Sequence, residues 1–277
     1  MRRDDWDVIA DIYRRYNISR DPKLINISLP KTSSKSLVDY CQDYCYATHE
    51  AWHREITSAV VDNRQGILPD ESLHRLYEMR TANERHVVDS ATFNHLLMED
   101  IFSIYPNSSY IYIYRNCSSW TSSMLNMWNS FNTLHEKRLS DGQDVQSSRE
   151  WISWINNYST LYSSNLSTYF WRRSNQDIND PYFKKLSSDL MEFWIQSGER
   201  ILKAKQSNID LHTVPLSQSS EIPWVVKSVL GIDISEYPTS NKRVDDPLHL
   251  TADQISHIVP SSLLKKSESI YNQLLNS

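Results

Sequence analysis

Two stretches of the chain share one layout, and that layout restricts the fold more than any other feature. In "INISLPKTSSKSLVDY", residues 25–40, an apolar run from Leu24 to Leu29 halts at Pro30, as a strand would. A polar turn follows. Leu37, Tyr40, Cys41, Tyr44 and Cys45 then recur at the spacing of a core-facing helix that begins among Ser33, Ser34 and Lys35. In "SYIYIYRNCSSWTSSMLNMW", residues 109–128, a strand over Tyr110–Tyr114 leads through Arg115 into a helix with Trp120, Met124, Met127 and Trp128 on one face, capped by Ser118 or Ser119. Asn94–Ile104 reads as a helix stopped by Pro106, and Leu186, Leu190, Phe193, Trp194 and Ile201 mark a long one. Ile209–Val214 reads as a strand, Ile222, Val226 and Val229 as a helix closed by Gly231, and Thr251 with Gln254 as a capping box for a terminal helix. Strands alternating with helices predict an α/β fold: a single P-loop-like domain, its central parallel sheet flanked by helices on both faces. A chain of 277 residues suits one such domain spanning 1–277.

A strand that feeds a helix N-terminus makes an anion site from unpaired backbone N–H groups and the helix dipole. Lys31 and Lys35 flank the first turn, while Thr32, Ser33, Ser34 and Ser36 add hydroxyl donors. An ordinary solvated turn capped by serines accounts for this loop equally well. Lys35 and Ser36 match the Lys-Ser/Thr of an ATPase loop, but Leu29 and Ser34 stand where its glycines belong. The chain's glycines, Gly66, Gly142, Gly198 and Gly231, all lie elsewhere, which excludes a GxGxxG dinucleotide fingerprint. Arg115 decides between the readings. It stands at the end of a second strand, with Ser123 two helical turns beyond, and two anion-competent strand ends in one sheet suit a ligand charged at two places.

Several classes are set aside by composition. A net charge of −5 offers no basic field for nucleic acid. No apolar run approaches the roughly 20 residues that span a bilayer, and the opening "MRRDDWDVIADIYRRY" places charges where a signal peptide needs an apolar core, so a cytoplasmic protein is expected. Cys41, Cys45 and Cys117 form no CxxC pair and fit that compartment, and triplets such as Asn107-Ser108-Ser109 are chance matches in a Ser- and Asn-rich chain. His49 and His53, in "HEAWH", have zinc-helix spacing without a third ligand, and the lid or wall of a binding pocket is the preferred reading. "LSDGQDVQSSRE", residues 139–150, is the best candidate for a mobile insertion.

Taken together, these motifs resemble the sulfotransferases that use 3′-phosphoadenosine-5′-phosphosulfate, specifically the bacterial small-molecule type. Pro30-Lys31-Thr32-Ser33-Ser34-Lys35-Ser36-Leu37 is similar to that family's Pro-Lys/Arg-Thr/Ser-Gly-Thr-Thr-x-Leu turn, with Ser33 in place of the glycine and Lys35 in place of a threonine. Ser36 stands where many cytosolic members carry a tryptophan against the adenine. Arg115 and Ser123 match the second motif, about 80 residues on, and "VVDSATFNHLLMEDIFSIYPNSSYIYIYR" resembles the segment joining the two. "NIDLHTVPLSQSSEIPWVVKSVLGID" and "SNKRVDDPLHLTADQI" are similar to the family's late strand, basic loop and last helix. The likeness covers most of the chain except about residues 129–179, a variable insertion expected to shape the acceptor pocket.

The resemblance implies roles. Lys31 would hold the bridging and 5′-side oxygens and stabilise charge on the leaving phosphate; Thr32, Ser33, Ser34, Lys35 and Ser36 would hold the 5′-phosphosulfate. Arg115 and Ser123, joined by Lys242 and Arg243, would hold the 3′-phosphate. No metal is required, and the product is 3′,5′-adenosine bisphosphate. The acceptor must lose a proton, for which Asp89 and His86 compete, while His95 reads as structural. The expected partner is a small molecule bearing a hydroxyl or an amine, such as a natural product, and neither nucleic acid nor membrane. Trp151, Trp154, Tyr158, Tyr162, Tyr169 and Trp171 suit a planar or cationic acceptor, at the far end a guanidinium alkaloid of the saxitoxin kind, although helix packing explains the same spacing. A P-loop-type nucleotide-dependent kinase and a non-catalytic binder of 3′,5′-adenosine bisphosphate are the alternatives.

Overall fold

A computed structural model describes residues 21–32, 34–84, 86–140 (side chains through 128), 159–163, 180–233 and 250–277. Ser33, Lys242, Arg243, the segment 141–150 and most of the 129–179 insertion lie outside the described residues. Among the described residues five strands form one parallel sheet: β1 (Leu24–Asn26), β2 (Ala47–His49), β3 (Val88–Ser90), β4 (Ser109–Tyr114) and β5 (Leu211–Pro215), in the order β2-β3-β1-β4-β5. The helices are α1 (Ser34–Cys41), α2 (His53–Arg64), α3 (Asp70–Glu84), α4 (Met98–Ile104), α5 (Cys117–Ser140), α6 (Pro181–Lys205), α7 (Ile222–Leu230), α8 (Ala252–Ile258) and α9 (Ser261–Leu275).

The sheet is covered on both faces, which β4 shows best. Along β4, Tyr110, Tyr112 and Tyr114 join a core with Trp120, Met124, Leu190 and Trp194, whereas Ile111 and Ile113 turn to the opposite core with Leu37, Tyr40, Val225 and Val226. The connection after β1 therefore leaves on one face and the connection after β4 on the other. Adjacent strands whose helices depart on opposite faces open a crevice at their C-terminal ends, where open α/β sheets bind ligands.

Three differences from the sequence reading have physical causes. The Leu24–Leu29 run pairs as a strand only to Asn26, since Ser28 and Leu29 already turn into the loop. Helix α1 stops at Cys41, leaving Tyr44 57% exposed although it falls on the apolar stripe. The expected helix Asn94–Ile104 begins as a tight turn, Thr92–His95, before α4. The Gly231 cap, with φ of 70°, and the Thr251–Gln254 capping box form as expected.

Candidate active site

Pro30 ends the outward run of β1, and Lys31 reverses the chain in the left-handed region, with φ of 65°. That conformation costs a residue other than glycine about 1–2 kcal/mol, a sign that the surroundings fix it. Several bonds do so. Trp120, fully buried on α5, donates its indole N–H to the Pro30 carbonyl at 2.8 Å, tying the loop to the helix after β4. The Thr32 hydroxyl donates to the Leu29 carbonyl, and Ser90 on β3 donates to the Ser34 carbonyl at 2.8 Å while accepting from Asn26 Nδ2 at 2.8 Å. The first turn of α1 is thereby pinned at the end of β1.

Two of the expected loop contacts are engaged elsewhere. Thr32, 1% exposed, has spent its proton on Leu29, and the exposed Lys35 pairs with Asp39 at 2.8 Å along α1. An anion at this turn would therefore draw on the backbone amides of α1, on Lys31, and on the buried Ser34 and Ser36. Across the crevice, Arg115 is half-buried, and its Nε is enclosed with no hydrogen-bond partner among the described residues. No acidic side chain among the described residues pairs with it, and burial pushes its pKa below the ordinary arginine value. A buried donor that charge-seeks without a partner fits a phosphate. Ser123 is half-buried on α5, and one turn further Asn126 bonds both the N–H and the C=O of Leu250, at 2.9 and 3.0 Å.

Asp89 and His86 occupy a different setting from the one expected. Asp89, at the centre of β3, is 0% exposed, receives Arg80 Nη2 at 2.6 Å and Nη1 at 2.7 Å, and accepts from the Tyr77 hydroxyl at 2.8 Å. Burial alone would raise its carboxyl; Arg80 and His86 outweigh that and hold it well below the usual range. A carboxylate so saturated has no surface for an acceptor and no affinity for its proton near neutrality. His86 is 2% exposed, with Nε2 3.5 Å from Asp89. His95 is likewise buried, its Nδ1 3.0 Å from the Ile27 carbonyl and its Nε2 2.8 Å from Ser197 Oγ, a packing role.

The groups that do stand at the loop come from "THEAWH". His49 ends β2 and His53 begins α2, so the two do not share a helix. His49 Nε2 lies 3.3 Å from Ser34 Oγ and 3.7 Å from Glu50 Oε1. Glu50 accepts from the Thr92 amide at 2.9 Å and forms an ion pair with His53 Nδ1. Burial would raise the Glu50 carboxyl, but His53, His49 and that amide bring it below the ordinary range. The His49 imidazole moves down, burial outweighing the pull of Glu50. Sequence reasoning placed the histidines near an acceptor and passed over Glu50. The signal available was an acid directly after a short Ala-Thr-His strand.

The family model described as a sulfotransferase domain matches residues 23–206, more than half of the chain, and spans the β1 turn, the Glu50 segment and Arg115. Among solved structures, the crystal structure of a sulfotransferase from Alicyclobacillus acidocaldarius is similar, at 14% identity and a TM-score of 0.40, over 92% of this chain and 96% of that one. No curated protein matches significantly.

Proposed function

Because the chain belongs to the sulfotransferase-domain family, we propose that it moves the sulfuryl group of 3′-phosphoadenosine-5′-phosphosulfate to a hydroxyl or amine of a small molecule, such as a natural product. We read the whole of 1–277 as one transferase domain working in the cytoplasm; no helix among the described residues is long and apolar enough to cross a membrane. The observation that carries the donor assignment is the enclosed, partnerless Nε of Arg115 at the end of β4, beside the amide-lined turn after β1.

Bound there, the donor would supply the sulfuryl group and a phosphate leaving group. Lys31 and the α1 amides hold the 5′ side, and Lys31 stabilises the charge that gathers on the leaving oxygen. Arg115 and Ser123 hold the 3′-phosphate. Lys242 and Arg243 join them in this reading, which the tether from Leu250 to Asn126, one turn past Ser123, supports. The acceptor loses its proton to His53 at Nε2 rather than to Asp89 or His86, and Glu50, at Nδ1, stabilises the resulting imidazolium. The acceptor's oxygen or nitrogen then bonds sulfur, while the electron pair of the broken sulfur–oxygen bond stays on the phosphate.

A thermal-shift comparison tests the donor. 3′,5′-Adenosine bisphosphate is expected to raise the melting temperature and ATP with Mg²⁺ to leave it unchanged; the reverse result would point to a kinase. A nucleotide shift without sulfuryl transfer to any phenol, alcohol or amine tried would favour the non-catalytic binder. With an acceptor in hand, Glu50→Gln and His53→Asn should each lower turnover by about 10² to 10⁴.

A further inference from the structure

The Glu50 turn is held in an unusual way. Glu50 and Trp52, one residue apart, both lie in the left-handed region, with φ of 59° and 58°, and neither is a glycine. Two such residues persist only where the surroundings fix them. The residue between them, Ala51, presents its carbonyl to Arg80 Nε at 2.8 Å. Arg80 is fully buried and has all its edges occupied: Nε on Ala51, and both terminal nitrogens on Asp89. Its guanidinium also sits 4.9 Å from the centre of the Phe93 ring, which His53 approaches at 5.8 Å. Asp89 in turn is fixed by strand register, opposite Thr48 of β2 and Ile25 of β1.

We infer that Arg80 is a positioning residue for transfer: anchored on Asp89, it clamps the Glu50–Ala51–Trp52 turn so that Glu50 meets His53 beside the β1 turn. The inference rests on the Glu50–His53 reading above. It differs from plain stabilisation by a buried ion pair. Such pairs are often replaced by apolar residues at little cost to stability, because burial of the charges offsets their attraction. What an apolar replacement cannot supply is a donor for the Ala51 carbonyl. A lysine could not replace Arg80 either, since one ammonium cannot make a two-nitrogen fork to Asp89 and also reach the Ala51 carbonyl from the other end of a planar group.

The test is the double variant Arg80→Met with Asp89→Leu, which leaves no lone buried charge, alongside Arg80→Lys as a second variant should the first fail to fold. Nitrogen NMR of the imidazoles, assigned with His49→Asn and His53→Asn, reads the turn without any acceptor. The expected result is a displaced His53 signal in a folded protein that binds 3′,5′-adenosine bisphosphate within about threefold of the parent. Turnover should fall by about 10- to 100-fold, the loss expected from misplacing a reacting group by an ångström or so. An unmoved His53 signal in either folded variant would overturn the inference. Should His53→Asn keep full turnover, the base assignment fails, while the imidazole spectra still decide whether Arg80 sets the turn.

Discussion

Lys31 combines two demands that pull against each other: the left-handed backbone favours glycine, yet the proposed chemistry needs an ammonium there. Replacing it separates the two. Lys31→Gly is expected to be more stable than Lys31→Ala by about 1 kcal/mol, because only glycine takes φ of 65° without strain. Both variants should lose most turnover, and calorimetry beside an activity assay reads the two effects apart; a Gly variant that melts below the Ala variant would show that the turn is not strained. At the other strand end, Arg115→Ala should weaken 3′,5′-adenosine bisphosphate far more than 5′-AMP, by about 1.5–3 kcal/mol for a charge-assisted bond, as titration calorimetry would measure. Equal losses for both nucleotides would remove Arg115 from the 3′-phosphate. These two residues were legible because each follows a recognisable strand. Asp89 was not: sequence position shows an acid near the site but gives no hint that Arg80, nine residues earlier, occupies both of its oxygens.

Elements were legible where their apolar residues keep a clear period rather than by length alone, and α3, 15 residues long, went unread. The six-residue β4 and the long α6 stand out, while β2 and β3, three residues each, carry no alternation to detect. Those two short strands are the ones that bring Glu50 and Ser90 to the β1 turn, so the part of the site they build was hidden with them. The link from α5 to the turn was hidden for another reason. Trp120 fits an apolar helical stripe and was read as core, which it is, but its indole N–H also reaches across to Pro30. Trp120→Phe keeps the packing and strips that donor from a buried carbonyl, a loss of about 1–3 kcal/mol. Its signature should be weaker nucleotide binding as well as a lower melting temperature. Unchanged nucleotide affinity in a destabilised protein would confine Trp120 to the core.

For the molecule as a whole, pH acts through two buried groups in separate windows. Burial pushes the His95 imidazole down to about 3, so between there and about 6.5 the unfolded chain binds a proton that the folded one does not. Stability therefore falls as the pH drops through that window, by about 1.4 kcal/mol per unit where the difference is full. Asp89 has a depressed carboxyl, so its contribution is complete above about pH 4 and disappears only as the pH falls through its lower folded value. Melting temperatures from pH 7 to 4 should decline in the parent and decline less in His95→Gln; parallel curves would place the acid sensitivity elsewhere. The sheet order carries a further consequence, for how the molecule comes into being. The central strand β1 is three residues long, and its neighbours arrive late: Ser90 bonds Asn26 across 64 residues and Ile113 bonds Ser28 across 85. β5 reaches β4 across about another hundred. A chain emerging from the ribosome thus holds β1 without a partner until β3, some 64 residues further on, has been made, and closing such wide loops is what slows folding. The turn after β1, though it precedes both in the chain, can take its shape only after β3 and β4 have flanked it.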